Sequence, residues 1–163
     1  TSSPSLDITG ETEPKYQWPA GGVETNVPEY GRLYSWYTVT DNRKICPSGW
    51  HVPSTAEWEG LGSFLKDKGG YLKETGLTHW MAPNYGATNS SNFTARGAGY
   101  RLLSSFENMK NYAMFWTTTP SSSASAAPYV YLYYDYDVLG ISYSPPSSYS
   151  SSNGFSVRCL KDN

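Results

Sequence analysis

Charged residues are scarce in this chain: Lys, Arg, Asp and Glu make up 16% of its 163 residues, and the formal net charge is −2. A composition this close to neutral provides no basic patch of the kind that binds nucleic acid. The sequence also lacks an apolar run long enough to cross a bilayer. We therefore expect partners other than nucleic acid and no insertion into a membrane.

Cysteine and histidine are also scarce, with two of each: Cys46, Cys159, His51 and His79. Their spacing matches no zinc-ligand pattern, so we expect neither a metal site nor a cofactor. Two interpretations of the cysteines stay open, a long-range disulfide between Cys46 and Cys159 or two reduced, buried thiols. Closing so long a loop would contribute roughly 4–5 kcal/mol in the chain-entropy model.

The sequence offers few candidate catalytic residues. Asp135 and Asp137 would share one face of a continuing strand, and paired carboxylates can serve acid–base chemistry or bind a metal. Neither a third ligand nor a basic residue lies near them in the sequence. We therefore predict that the chain is not an enzyme.

The last third of the chain lacks whole classes of side chain. Residues 117–157 contain no Lys, Arg, Glu, Gln, His, Trp or Met, but they include twelve serines and seven tyrosines. Tyr supplies rigid contact area and Ser supplies adaptable hydrogen bonds, the combination that antibody binding loops use. This composition favours a binding face with exchangeable side chains, and a Ser-rich surface loop is the alternative.

We predict that ligand contacts come from the Tyr and Ser side chains of this stretch, together with one carboxylate. Aromatic rings would anchor the ligand, and hydroxyl groups would complete its hydrogen bonds. Tyr131 and Tyr133 stay unassigned, because alternation along a strand must send some rings inward. The predicted contact residues are Ser121, Ser122, Ser123, Tyr129, Tyr134, Tyr136, Asp137, Ser142, Tyr143, Ser147, Ser148 and Tyr149.

Turn residues and apolar patterns divide the chain into an arm and a domain. Prolines and a Gly pair in residues 1–29 predict an irregular N-terminal arm lying over the surface, docked through Tyr16 and Trp18. Residues 30–163 would form the ligand-binding domain. Aromatic and β-branched residues predict strands over 30–39, 100–103, 113–118, 129–134 and 154–159, with loops at 104–111 and 135–153.

One helix has a clear start signal. Ser54 and Glu57 form a capping box, and Trp58, Leu61, Phe64 and Leu65 follow at helical spacing. We predict a helix over residues 54–68 with its Trp58 side toward the core. Trp80 and Phe93 are expected to anchor the core in the less patterned sequence that follows.

Eight ordered segments carry familiar motifs: 30–36, 45–54, 57–59, 88–93, 98–101, 115–118, 131–135 and 154–159. Together they resemble the Fibrobacter succinogenes major paralogous domain, and the resemblance runs from about Tyr30 to Asp162. It implies an α+β domain of the C-type lectin-like fold, with mixed small sheets, one helix and much irregular structure. The terminal strands would pair, and the C-terminal strands and loops would build the binding face.

The lectin-like fold also serves the variable proteins of diversity-generating retroelements, including phage receptor-binding proteins. Adenine-directed mutagenesis of AAY codons there cannot yield Lys, Glu, Gln, Met or Trp, and residues 117–157 lack all five. The resemblance thus implies a non-enzymatic domain that binds a protein or glycan ligand, displayed extracellularly on a virion or cell surface. A fixed adhesion or glycan-binding module and a purely structural domain are the alternatives.

Two departures from the wider fold limit what the resemblance implies. The sequence lacks the Glu-Pro-Asn, Gln-Pro-Asp and Trp-Asn-Asp triplets of calcium-dependent lectins. It also lacks the close cysteine pair of the related formylglycine-generating enzymes, because Cys159 has no neighbouring cysteine. Neither calcium binding nor that chemistry is therefore expected.

Overall fold

The structure, a computed structural model, describes residues 3, 5–6, 12–14, 16–120, 127–143 and 150–163. Short strands, short helices and long irregular connections make it an α+β protein, as predicted. The helices are α1 (Val27–Tyr30), α2 (Trp36–Val39) and α3 (Thr55–Phe64). The strands are β1 (Gln17–Pro19), β2 (Arg32–Tyr34), β3 (Trp50–His51), β4 (Tyr100–Leu102), β5 (Ser105–Glu107), β6 (Tyr112–Trp116), β7 (Tyr129–Tyr133), β8 (Gly140–Ser142) and β9 (Leu160–Lys161).

The strands form four small antiparallel sheets. Three of them have two strands each, β1–β2, β3–β9 and β4–β5, and the fourth has the order β6–β7–β8. The three-stranded sheet separates two apolar clusters: one contains Trp58, Trp80 and Phe115, and the other contains Trp116 and Phe155. Among the described residues, no helix has the length and apolar character needed to cross a bilayer.

The predicted helix is confirmed, although it is shorter than expected. The backbone N–H of Glu57 donates to Ser54 Oγ at 3.3 Å, and that of Ser54 donates to Glu57 Oε2 at 2.7 Å, which completes the capping box. Trp58 is buried, but Phe64 is 83% exposed and does not belong to the buried stripe. The helix ends at Phe64 because Lys66 and Asp67 turn the chain with positive φ angles.

The strand predicted over residues 30–39 is confirmed only as β2, because Tyr30 ends α1 and the prediction is wrong beyond Tyr34. The chain leaves the extended conformation after Ser35 and forms α2. Trp36 is tied to other parts of the chain, since its backbone N–H donates to the Ser151 carbonyl and its indole Nε1 donates to the Thr117 carbonyl, each at 2.9 Å. Aromatic composition favoured a strand here, and these tertiary bonds favour a helical turn.

The C-terminal segment meets three different strands instead of forming one strand over residues 154–159. Gly154 pairs with Arg101, Phe155 with Tyr34 and Ser156 with Phe115, each through an isolated bridge. The predicted closeness to the N-terminal part of the domain is confirmed by the Phe155 bridge to β2. A continuous strand is absent from 154–159, and β9 begins at Leu160 and pairs with β3.

Three other segments predicted to be irregular contain strands. Gln17–Pro19 pairs with β2 and Trp18 is fully buried, so this part of the predicted arm belongs to the domain. The predicted loops at 104–111 and 135–153 contain β5 and β8. These strands have three residues each, which is too short to show an alternating pattern. Trp80 is buried and Phe93 packs against the same cluster, as predicted.

Candidate ligand-binding face

The three-stranded sheet carries tyrosines on the face turned away from α3. Tyr112 pairs with Tyr133 across β6 and β7, and Met114 pairs with Tyr131. Because side chains alternate along a strand, these four residues share one face. Their neighbours along the strands, such as Phe115 and Leu132, point to the opposite face and into the cluster beneath α3.

The rings at one end of this face stack on one another. The ring centroids of Tyr112 and Tyr133 are 4.4 Å apart, and those of Tyr133 and Tyr136 are 5.4 Å apart. Tyr136 is 61% exposed, and Tyr112, Tyr131 and Tyr133 are partly exposed. We call Tyr112, Tyr131, Tyr133 and Tyr136 the tyrosine face.

The hydroxyl group of Tyr133 stays protonated across the physiological range. Burial raises the pKa of Tyr133 to about 12, and the neighbouring Tyr134 hydroxyl acts in the same direction. A protonated phenol both donates and accepts hydrogen bonds. The stacked rings therefore combine apolar contact area with neutral polar groups at their edges.

A cleft of about 320 Å³ opens beside these rings. Gly140 of β8 lies opposite Tyr131, and a Cβ atom at Gly140 would lie 2.2 Å from the Tyr131 ring. The absence of a side chain at Gly140 therefore sets where the Tyr131 ring can lie. The cleft is lined by Tyr112, Met114, Tyr129, Tyr131, Ile141 and Ser142.

Two predicted contact tyrosines do not belong to this open face. Tyr129 is 7% exposed, and its ring centroid lies 5.1 Å from that of Phe155, so it is a core residue at the rim of the cleft. Tyr134 packs against the cluster beneath α3. Phe155 covers the Tyr129 end of the sheet, whereas the Tyr133 end is partly exposed.

Asp137 and Tyr143 are committed to contacts within the domain. Asp137 Oδ1 accepts a hydrogen bond from the Gly70 N–H at 2.8 Å, and Oδ2 lies 3.2 Å from Lys68 Nζ. Tyr143 is exposed, but its hydroxyl donates to Glu59 Oε1 at 2.7 Å, and this bond raises the pKa of Tyr143. Asp137 thus anchors the chain after β7, and Tyr143 joins the end of β8 to α3.

The remaining predicted contacts divide into two placed residues and six outside the described residues. Ser142 lines the cleft, and Tyr136 belongs to the tyrosine face. Ser121, Ser122, Ser123, Ser147, Ser148 and Tyr149 lie outside the described residues. The structure adds Tyr131 and Tyr133, which the sequence left unassigned, and Tyr112, which the sequence analysis did not consider. The strand register assigns all three to the tyrosine face.

Lys73 holds the chain around the tyrosine face from behind. Its side chain is completely buried, and Nζ donates to the carbonyl oxygens of Tyr85, Tyr133 and Tyr136 at 2.8, 3.0 and 3.1 Å. Burial lowers the pKa of Lys73 to about 8, against the opposing effect of Asp137. A lone lysine in a weakly patterned stretch provides no sequence signal for this role.

The C-terminus is joined to the domain by a disulfide and by a histidine. Cys46 and Cys159 are bonded across a sequence separation of 113 residues, which decides between the two interpretations of these cysteines. His51 lies between two carboxylates, with Nε2 2.8 Å from Glu57 Oε1 and Nδ1 2.6 Å from Asp162 Oδ1. The Asp162 hydrogen bond, followed by the Glu57 bond, raises the pKa of His51.

A second histidine lies in an ion-pair network. His79 Nε2 is 3.1 Å from Glu29 Oε2, and Nδ1 contacts Glu74; Arg96 bridges the same two carboxylates. This network fastens the chain around His79 to α1. Across the described ranges, no group of three or more His, Cys, Asp or Glu residues has an arrangement that could hold a metal ion.

Small antiparallel sheets, a capped helix and a partly exposed aromatic face define an α+β protein. Residues 6–161 match the sequence model of the Fibrobacter succinogenes major domain (Fib_succ_major), and the chain belongs to this family. The resemblance predicted from its motifs is therefore confirmed. No curated protein and no solved structure matches the chain significantly.

Proposed function

We propose that this chain is a non-enzymatic ligand-binding domain that recognises a protein or glycan on a target surface. The observation that carries the proposal is the tyrosine face, with its stacked rings beside a cleft of about 320 Å³. Tyrosines lose little conformational entropy on binding and provide both apolar contact and hydrogen bonds. The tyrosine face and Ser142 would make the central contacts.

The proposed fold is C-type lectin-like. In support of it, β9 pairs with β3 beside the Cys46–Cys159 disulfide, and Phe155 bridges to β2. These contacts bring residues 155–161 back to residues 34–51. Such a frame would hold the intervening strands as a platform from which the C-terminal residues contact a ligand.

We further propose that residues 117–157 are diversified by a retroelement and that the domain is displayed on a virion or cell surface. The restricted composition of this segment supports the proposal. The test is genetic: a near-copy of the 3′ segment and a reverse transcriptase gene should lie downstream. Substitutions among copies of the gene should fall at adenines of this segment. An invariant segment without a near-copy would favour the fixed module.

The fixed alternative is a cell-surface adhesion or glycan-binding module. The tyrosine face favours a glycan-binding module specifically. The exposed part of an aromatic ring provides a flat apolar surface with a polar edge, which suits a sugar ring. In this case the ligand would be a glycan and the contact residues would be constant. Binding to a glycan array, compared with binding to intact cells and to protease-treated cells, separates this alternative from recognition of a protein.

The binding test uses labelled protein on a glycan array and on a panel of intact bacterial cells. We expect Tyr133→Ser and Tyr136→Ser to lose at least tenfold in apparent affinity for whatever surface the wild type binds. Tyr71→Ser is the matched control, because Tyr71 is exposed and lies outside the tyrosine face. Equal binding by all four proteins would contradict the assignment of the binding face.

A further inference from the structure

A second cleft, about 310 Å³ in volume, opens on the other side of β6 from the tyrosine face. Phe115 lines it, and alternation places Phe115 opposite Tyr112 and Met114. Three arginines contribute to its wall, together with hydroxyl groups and one carboxylate. We call it the arginine cleft, and its polar lining includes Arg32, Arg96, Arg158, Tyr30, Ser156 and Glu29.

Two of these arginines already have carboxylate partners. Arg32 pairs with Glu24 through both carboxylate oxygens. Arg96 pairs with Glu29 at 2.7 Å and with Glu74 at 3.0 Å. Their charges are therefore largely balanced within the domain, although their guanidinium groups still line the cleft.

Arg158 differs from the other two arginines. Its Nη2 donates to the Phe93 carbonyl at 3.0 Å, and its guanidinium lies 4.2 Å from the Phe93 ring centroid. Within the part of the chain that the structure describes, no carboxylate pairs with it. Burial lowers the pKa of Arg158. A half-buried cation without a counter-ion among the described residues favours binding of an anion.

A hydroxyl group beside Arg158 also lacks a partner. Ser156 is 9% exposed, and its side chain makes no hydrogen bond with any described residue. Ser156 lines the cleft, so a ligand bound there can replace water as the partner of its hydroxyl. A ligand that accepts hydrogen bonds would satisfy the Ser156 hydroxyl and the free donors of Arg158 together.

The backbone at the rim of the cleft is held in an uncommon conformation. Thr94 lines the cleft with a φ of 55°, which β-branched residues rarely adopt. Asn89 fixes it, since Asn89 Oδ1 accepts from the Thr94 N–H at 2.8 Å. Conformations of this kind persist where the surroundings enforce them, and they concentrate at binding sites.

We propose that the arginine cleft binds a small oxyanion, the carboxylate or phosphate group of a ligand, with Arg158 as its main cation. A guanidinium presents parallel N–H donors that match two oxygens of either group. The Ser156 hydroxyl would donate to the same anion. This site is separate from the tyrosine face and does not rest on the function proposed for that face.

The test titrates the wild-type chain with sodium acetate and, separately, with inorganic phosphate at constant ionic strength. Amide chemical shifts of residues 94–96 and 156–158 report binding. We expect saturable shifts there with at least one anion, and Arg158→Gln should weaken its apparent Kd at least tenfold. A response to acetate alone identifies a carboxylate site, and a response to phosphate alone identifies a phosphate site.

Two further variants make the result decisive. Arg43→Gln is the control, because Arg43 is exposed, pairs with Asp41 and lies outside the cleft; its affinity should equal that of the wild type. Ser156→Ala keeps the charge and should weaken binding several-fold even if Arg158→Gln does not fold. Non-saturable shifts with both anions, or unchanged affinity in the cleft variants, would overturn the proposal.

Discussion

The two ends of the tyrosine-bearing face of β6–β7–β8 have nearly the same aromatic composition and opposite environments. At one end, Trp116 and Tyr129 are buried beneath Phe155, whose ring centroid is 4.1 Å from that of Trp116. At the other end, Tyr133 and Tyr136 stack on each other with nothing from the described chain covering Tyr136. Coverage by the C-terminal segment, rather than residue type, separates core from candidate binding surface.

The largest expected effect concerns the covered end and the cluster beneath α3. Trp116→Ala and Trp58→Ala should each lower the free energy of unfolding by roughly 3–5 kcal/mol, because each leaves a cavity in a packed core. Urea unfolding followed by circular dichroism measures this loss. A cost for Trp116→Ala below about 1 kcal/mol would mean that the covered end is not core.

Lys73→Met should produce the next largest effect. The substitution leaves three carbonyl oxygens behind the tyrosine face without their donor, and each unsatisfied buried group costs about 1–3 kcal/mol. Removal of a buried charge offsets part of this cost, so we expect a net loss of about 1–3 kcal/mol. Lys68→Met is the control, because Lys68 is exposed and forms a surface ion pair with Asp137.

The difference in stability between the wild type and Lys73→Met should depend on pH with a defined sign. The pKa of Lys73 is about 8 in the folded protein and near 10.5 when unfolded. Between these values the unfolded chain binds more protons, so the stability of the wild type rises with pH. The advantage of the wild type over Lys73→Met should therefore grow from pH 8 to 10, by at most about 1.4 kcal/mol per pH unit.

A smaller effect is expected where His51 joins α3 to the C-terminus. Its raised pKa means that its contribution is present below pH 6.5 and is lost as the pH rises through the folded value. Burial alone would raise the pKa of Glu57, but hydrogen bonds from Ser54 and His51 lower it. Glu57, a partner of His51, therefore stays ionised in mild acid. Thermal unfolding should separate wild type from His51→Gln more at pH 5.5 than at pH 8.5.

The smallest expected effect concerns the open end. Tyr136→Ser should change stability by no more than about 0.5 kcal/mol, as is usual for exposed positions away from caps and cores. The measurement is the urea midpoint, with Trp58→Ala in the same series. If Tyr136→Ser costs as much as the tryptophan variant, the tyrosine face is part of the core and cannot serve as a replaceable contact surface.

The capped helix and the family membership were predictable because their signals are local. A capping box needs only Ser54 and Glu57 three positions apart. The family motifs are short contiguous segments, so each can be recognised in the sequence without the fold. The failures are equally specific. The chain leaves the extended conformation before Trp36, which donates hydrogen bonds to the Thr117 and Ser151 carbonyls. Residues 154, 155 and 156 each bridge to a different strand. Such partners are distant in sequence, so local composition carries no record of them.

The sequence by itself determined the α+β class, the position of α3, the family, and the Tyr- and Ser-rich composition from which a binding face was predicted. Only the tertiary structure decided which tyrosines are open. Phe155 covers Tyr129, Gly140 makes room for the Tyr131 ring, and Lys73 fixes the chain behind Tyr133. Side-chain alternation assigns a residue to a face, but burial depends on what packs over that face, and this is settled only when distant segments meet.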